Sequence, residues 1–143
     1  MTSPHQFLHP LHWKATPGYS NGMAATGRLV VTGGMVGWNA DQEFESDDFA
    51  AQAGQALRNI VAVLAEGGAR PEHIVRLTWY VTDKRAYLDS LVELGRLYKA
   101  AIGRHYPAMA LVQVVALVED RAWVEIEATA MVPEASEILP KGA

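Results

Sequence analysis

The sequence predicts an α/β protein, a two-layer sandwich in which two helices cover one face of a mixed β-sheet. The first observation is the order of hydrophobic patterns along the chain, which is β-β-α-β-α-β-β. The second is that apolar residues recur at three- and four-residue steps in two long segments and alternate with polar residues in the last one. Each helix connects two strands, so we expect right-handed crossovers with both helices on the same face.

Composition favours one domain with a substantial core. The chain has 143 residues, of which 50% are hydrophobic and 20% charged, and it contains no cysteine, which excludes disulfides, thiolate metal sites and a cysteine nucleophile. The formal net charge of -4 argues against a broad nucleic-acid or anionic-membrane surface. No apolar run approaches the roughly 20 residues of a membrane span, and the N-terminus lacks the pattern of a secretory signal. We therefore expect a cytoplasmic protein with no nucleic-acid or membrane partner.

Residues 1–18 predict an irregular arm, because they contain three prolines and show no hydrophobic period. The spacing of His5, His9 and His12 would align them on a helix, as metal ligands require. Pro10 lies inside that would-be helix and no carboxylate is near, so solvated histidines are the favoured interpretation and no metal is expected.

The predicted domain spans residues 19–132 and begins with two strands, over residues 19–25 and 28–32, that pair around the dipeptide Thr26-Gly27. Three glycines then occur within residues 33–37. They lack the spacing and the Lys-Ser/Thr ending of a phosphate-binding loop. A bend beside a pocket and a simple β-bulge both remain open for this segment.

The first helix is predicted to begin at Ser46 as N-cap, with Asp47 and Asp48 in the first turn, and to end at Gly67-Gly68. Its apolar stripe consists of five residues: Phe49, Ala53, Leu57, Ile60 and Leu64. A strand over residues 74–81 and a second helix over residues 84–102, ended by Gly103, follow. The apolar stripe of this second helix consists of Tyr87 or Leu88, Leu91, Leu94, Tyr98 and Ile102.

Two hydrophobic runs, over residues 107–117 and 122–132, flank a charged turn and predict a β-hairpin. The first run is apolar on both faces except at Gln113, which is typical of a strand in the middle of a sheet. The second alternates, with Val124 and Ile126 on one face and Glu125 and Glu127 on the other. The uncovered face, with Trp79 or Tyr80 and Trp123, predicts a homo-oligomer, and residues 133–143 predict a frayed tail.

Short motifs occur along the chain in a fixed order: Tyr19-Ser20, Val31-Thr32-Gly33, Asn59-Ile60, Gly68, Ile74-Val75, Pro107-Ala108, Gln113-Val114 and Val124-Glu125-Ile126-Glu127-Ala128. With these motifs the chain resembles the RidA, or YjgF/YER057c/UK114, family over roughly residues 17–132. The resemblance implies a chorismate-mutase-like fold and a homotrimer with three clefts between subunits. It also implies hydrolysis of reactive enamines and imines to ammonia and a keto acid, without metal or organic cofactor.

The resemblance implies a site that this sequence matches only in part. Tyr19 fits a tyrosine of the family's pocket, Thr32 and Gly33 fit a serine-glycine turn, and Glu125 fits the glutamate that handles water. Met109 stands where the resemblance implies an arginine that clamps the substrate carboxylate, a bidentate contact that a methionine cannot make. An asparagine implied in the second helix is also missing, with Leu91 near its place.

The predicted function is therefore a RidA-like enamine or imine deaminase whose substrate is bulkier and less polar than 2-iminopropanoate. The alternative is a non-catalytic homotrimer that binds small metabolites or partner proteins. Ribonuclease activity, which is known of some relatives, is disfavoured by the acidic charge.

The candidate residues also have plainer interpretations. His105 or Arg104, just before Pro107, would replace the missing charge or serve as a second acid or base, but an exposed loop histidine explains the same pattern. Met109 would simply fill space in the core. Glu125 is expected beside Trp123 and Met109, where burial in an apolar cleft would favour its protonated form and shift its titration towards neutral pH. In the plainer interpretation, Glu125 and Glu127 lie on a solvated face or pair with Arg76 or Arg121 at an interface.

Overall fold

The computed structural model describes residues 2–134, so the predicted tail lies outside the described residues from position 135 onward. The framework is a five-stranded sheet with helices packed on one face, which confirms the predicted two-layer α/β class. A separate two-stranded ribbon is formed by the N-terminal segment.

In chain order, the elements are β1 (Gln6–Leu8), β2 (Gly22–Ala24), β3 (Arg28–Val31), β4 (Met35–Val36), α1 (Phe49–Glu66), a 3-10 helix (Pro71–His73), β5 (Ile74–Val81), α2 (Lys84–Asp89), α3 (Leu91–Ala101), β6 (Ala108–Gln113) and β7 (Val124–Val132). The main sheet has the order β3-β7-β5-β6, and β4 also pairs with β7. Every pairing in it is antiparallel except that of β5 with β6, which is parallel.

The core lies between α1 and the sheet. The predicted stripe of α1 is confirmed, since Leu57 and Ile60 are fully buried and Leu64 nearly so. Each such side chain contributes about 1.5–3 kcal/mol by burial. The N-cap is Asp48, whose carboxylate accepts a hydrogen bond from the Ala51 N–H, so the prediction of Ser46 as N-cap was two residues early.

The second helical segment consists of two helices, whereas the periodicity predicted one. The break falls at Ser90, whose hydroxyl donates to the Ala86 carbonyl oxygen at 2.7 Å while its backbone leaves the α region. A serine that bonds to its own preceding turn competes with the helical ladder. The stripe continues across the break, since Tyr87 and Leu88 of α2 border the same space as Leu91, Leu94 and Tyr98 of α3.

Two predicted strand pairings are wrong. The segment expected at residues 19–25 does not pair with β3, because β2 pairs with β1 in the arm that was expected to be irregular. Strand β3 pairs with β7 instead, and it can enter there because Gly27 has φ +138° and lies against the Val132 carbonyl group, where a Cβ would overlap.

The predicted hairpin between the last two strands is also wrong. Strand β6 is an edge strand on β5, and β7 lies on the other side of β5, where β3 and β4 flank it. Val112 on β6 is accordingly 45% exposed. The alternation predicted for β7 is confirmed, since Val124 and Ile126 are buried and the glutamates face away from the helices.

One face of the sheet is not covered by the described part of the chain. Leu29 and Val31 on β3 are 60% and 57% exposed. Tyr80 lies on this face, whereas Trp79 is buried in the core, which resolves the predicted choice between them. Trp123, expected on the same face, precedes β7 and packs against the core.

Candidate functional site

The helix side of the sheet contains an aromatic cavity of about 550 Å³. Trp79 on β5 and Met109 on β6 belong to its lining from the sheet, and Tyr19 belongs to it from the segment between β1 and β2. The helical wall comes from the stripe of α2 and α3, through Tyr87 and Leu91 among others. Much of the apolar stripe predicted for the second helical segment forms this wall.

Two hydrogen bonds from Ser20 attach the segment between β1 and β2 beside the cavity. The Ser20 N–H donates to the Pro107 carbonyl oxygen at 3.1 Å, and the Ser20 hydroxyl donates to the Tyr106 carbonyl oxygen at 2.5 Å. These bonds place Tyr19 next to the start of β6, so that it shares the cavity with Met109.

The cavity wall is rich in aromatic rings. Tyr98 stacks on Tyr106 with ring centroids 5.4 Å apart, and the Tyr98 hydroxyl donates to the His105 carbonyl oxygen at 2.6 Å. Burial raises the pKa of Tyr98 well above its usual range, and it raises that of Tyr87 in the same direction. These tyrosines therefore stay neutral, and the wall favours an aromatic or aliphatic ligand.

Glu125 lies on the opposite, uncovered face of the sheet. It pairs with Val36 on β4 and with Tyr80 on β5, so its side chain is held in the middle of three strands. Its carboxylate packs against the backbone of Gly34, where a Cβ would overlap it. The glycine-rich segment thus makes room for a carboxylate and also supplies strand β4, rather than forming a bulge alone.

The second carboxylate of β7 has a partner within the chain. The Tyr80 hydroxyl donates to Glu127 at 2.8 Å, and this hydrogen bond is the main reason why the pKa of Tyr80 is raised. Arg121, considered as a partner for either glutamate, instead pairs with Asp47 at 2.8 Å. Glu127 is therefore engaged in the sheet, while no described side chain forms a hydrogen bond or ion pair with Glu125.

Thr32 is buried, and its hydroxyl is used in holding the strands together. The hydroxyl donates to the Gly33 carbonyl oxygen at 2.8 Å and accepts from the Ala128 N–H at 3.0 Å. Its only proton is therefore committed, which leaves no hydroxyl donor for a ligand. Gly33 is exposed, so its backbone stays accessible on this side.

The prediction that His105 lies in the cleft or is exposed to solvent is wrong. It is only 3% exposed, its Nε2 lies 2.7 Å from the Ile74 carbonyl oxygen, and Phe7 of the arm packs edge-on against its ring. Burial lowers its pKa. It is absent from the cavity wall and ties β5 to the loop before β6.

The expectation that Glu125 lies beside Met109 is wrong for the single chain. Met109 pairs with Leu77, whose side chain is in the core, whereas Glu125 pairs with Tyr80, which faces away from the helices. The sheet therefore separates the two candidates. Trp79 and Lys99 also line the cavity and were not predicted as site residues. The aromatic content of the stripe was the only sequence signal for this wall.

Within residues 2–134, no group of three or more His, Asp or Glu side chains is arranged to hold a metal ion. In the same part of the chain, His9 bonds to the Trp13 carbonyl oxygen and to Asn21, while His5 bonds to the His73 carbonyl oxygen. No described helix is long and apolar enough to cross a membrane.

The fold defines a class of protein, a two-layer α/β sandwich with a cavity on the helix side of a mixed sheet, and comparison with known proteins identifies the family. The family model described as Endoribonuclease L-PSP matches residues 11–132. The chain therefore belongs to this family, which is the RidA (YjgF/YER057c/UK114) family of the resemblance.

Its relatives include a 2-iminobutanoate/2-iminopropanoate deaminase of Escherichia coli, 32% identical over 108 residues that cover 73% of this chain and 80% of the relative. A RutC family protein of Haemophilus influenzae is 32% identical over 105 residues, with the same coverage. Among solved structures, the Rid family protein YyfB of Yersinia pestis has a TM-score of 0.80 and 29% identity, and the match covers 90% of this chain and 99% of that one.

Proposed function

We propose that this protein hydrolyses a reactive enamine or imine in clefts that are each shared by two subunits of a cytoplasmic homotrimer. The observation that carries the proposal is the separation of Glu125 from the aromatic cavity by the sheet. A complete site then needs the cavity of one subunit and the carboxylate of its neighbour. The uncovered face around Glu125, with Leu29 and Val31 exposed, is apolar enough to pack against a second copy.

The chemistry requires water and a proton carrier, and no cofactor. The water oxygen bonds to the carbon of the C=N group, the C–N bond breaks, and the products are a carbonyl compound and ammonia. Glu125 would accept a proton from the attacking water and return it to the leaving nitrogen. The deaminase names of relatives at 32% identity support this reaction class.

The substrate would be larger and less polar than 2-iminopropanoate. The lining of the cavity includes four tyrosines, Trp79 and three leucines, and Met109 stands at the position where the resemblance implies an arginine. Desolvating this surface favours a ring or a branched chain over a three-carbon acid.

Ammonia release from freshly generated imines tests the proposal. An amino-acid oxidase acting on phenylalanine or leucine supplies the imine, and release is followed with and without the protein. Glu125→Gln should reduce the protein-dependent rate by roughly a hundredfold or more. Glu127→Gln, on the same face two residues on, is the matched control and should keep most of the rate. Equal rates for wild type and Glu125→Gln would remove Glu125 from the mechanism.

Mixed oligomers test whether the cleft is shared. Gly95 lines the cavity and has no atom within 4 Å of an added Cβ, so Gly95→Trp should fill the cavity without disturbing the fold. Glu125→Gln and Gly95→Trp should each be inactive alone. Refolded together, they should regain activity, because some clefts combine an intact cavity with an intact carboxylate. A mixture that stays inactive would place the whole site in one chain.

A second candidate is a non-catalytic homotrimer that binds small molecules in the same cavity. Met109 favours it, because the position lacks the cation that the resemblance implies. Ligand binding without protein-dependent ammonia release, for any of the imines supplied, would favour this function over hydrolysis.

A further inference from the structure

The cavity contains one cationic side chain, Lys99 on α3, and no carboxylate. We infer that Lys99 binds the anionic group of an aromatic substrate, so that the substrate class is an aromatic 2-imino acid whose carboxylate pairs with this lysine. This inference rests on the proposed function for the reaction, but the ligand class follows from the cavity itself.

The other cations near β6 are placed elsewhere. Arg104 lines an adjoining cavity, which shares Tyr19 and Tyr106 with the aromatic one, and it is absent from the lining of the aromatic cavity itself. His105 is buried against the Ile74 carbonyl oxygen. Lys99 is set apart by its place in the lining of the aromatic cavity, and its side chain forms no hydrogen bond or ion pair with any residue in the described part of the chain. Its ammonium group is therefore available to a ligand.

The helix geometry directs Lys99 over the cavity. Gly95 is four residues earlier and thus lies on the same face of α3. An added Cβ at Gly95 meets nothing within 4 Å, so the space beside the lysine stem is open. The backbone of Lys99 is held at the helix end, where its carbonyl oxygen accepts from the Gly103 N–H at 3.0 Å.

A second observation points to a ligand with an acceptor group. Trp79 lines the cavity and is 4% exposed. Its Nε1 is the one buried side-chain nitrogen or oxygen that lacks a hydrogen-bond partner among residues 2–134. Buried donors normally have partners, so this N–H would pair with an oxygen or nitrogen of a molecule bound against Trp79 once the indole ring moves enough to expose it. The rings of Trp79 and Tyr87 pack edge-to-face with centroids 6.2 Å apart, and a ligand ring with a polar substituent would lie against this pair.

Lysine recognises a carboxylate differently from arginine. The ammonium group is a point charge on a flexible stem, whereas a guanidinium forms a rigid, bidentate contact. Lys99 projects from the helical wall, not from the strand position of Met109, and so it would hold the carboxylate of a molecule that extends across the cavity. This placement explains why a large substrate suits this chain better than a three-carbon one.

Calorimetric binding of two matched probes to the full-length protein tests the inference. Phenylpyruvate carries a ring and a carboxylate, and phenylacetone carries the same ring and ketone without the carboxylate. Lys99→Met keeps the aliphatic stem and should weaken phenylpyruvate binding roughly tenfold while it changes phenylacetone binding less than about twofold. Lys84→Met, an exposed lysine outside the cavity, should change neither. Lys99→Arg keeps the positive charge and should therefore bind phenylpyruvate more tightly than Lys99→Met does.

Unchanged phenylpyruvate binding in Lys99→Met would overturn the inference, as would wild-type protein that binds both probes equally or neither. These outcomes are separate from those of the proposed function, because binding is measured without turnover. If Lys99→Met binds phenylpyruvate as tightly as the wild type while ammonia release still depends on Glu125, only the ligand assignment is refuted. If Lys99→Met weakens phenylpyruvate binding while Glu125→Gln leaves ammonia release unchanged, only the proposed reaction is refuted.

Discussion

The position of the Glu125 carboxylate depends on the absence of a side chain at Gly34. A Cβ at this position would overlap the carboxylate oxygen and lie 2.7 Å from its carbon, Cδ, and 3.0 Å from Cγ. These separations are shorter than ordinary van der Waals contacts between carbon atoms, which are about 3.5–4.0 Å. In Gly34→Ala, the glutamate side chain must therefore rotate away.

This rotation should reduce the rate of ammonia release more than it reduces the free energy of unfolding. Gly34 is not among the glycines with positive φ in the described chain, so its backbone accepts an alanine. Forcing a side chain off its rotamer costs about 0.5–1.5 kcal/mol, which bounds the expected loss of unfolding free energy. A displacement of about 1 Å at a catalytic group can cost a hundredfold in rate, and we expect a loss of that order in ammonia release.

The assay compares ammonia release and urea unfolding for Gly34→Ala, Glu125→Gln and the double variant. Because both substitutions act on the same carboxylate, the double variant should be no slower than Glu125→Gln. Gly33→Ala is the folding control, since its nearest neighbour would be Met35 Cε at 4.0 Å. If the two losses multiply in the double variant, Gly34 acts through some other group and the reasoning is refuted.

Two further predictions concern the cavity and two buried histidines. Met109→Arg should raise protein-dependent hydrolysis of 2-iminopropanoate about tenfold, because it adds a bidentate carboxylate contact, and an unchanged rate would mean that the methionine is not the only obstacle. Burial lowers the pKa of His73 and of His105. Below about pH 6.5, these two histidines bind protons in the unfolded chain but not in the folded chain. The free energy of unfolding should therefore decrease as the pH is lowered below about 6.5, and these groups should not affect it at higher pH. Urea titrations at pH 7.5 and 5.5 measure this, and His105→Gln should reduce the difference; no reduction would show that its burial does not carry the effect.

Local patterns in the sequence were enough to predict the elements that bury one face. The stripe of α1 and the alternation of β7 are periodic, and burial of a periodic face is decided by residues only a few positions apart. The motif on β7 also indicated the family and identified Glu125 as the candidate carboxylate. The N-cap was misplaced by two residues because Ser46 and Asp48 are both competent caps.

Strand partners and the two sides of the site were decided only by the tertiary structure. An apolar run such as β6 has the same sequence pattern at the edge of a sheet as in its middle, and nothing within it specifies that β7 pairs elsewhere. Periodicity likewise places Met109 and Glu125 on faces of their own strands, but it does not relate those faces across the sheet. That relation depends on long-range hydrogen-bond registers, which place the carboxylate on one side of the sheet and the aromatic cavity on the other.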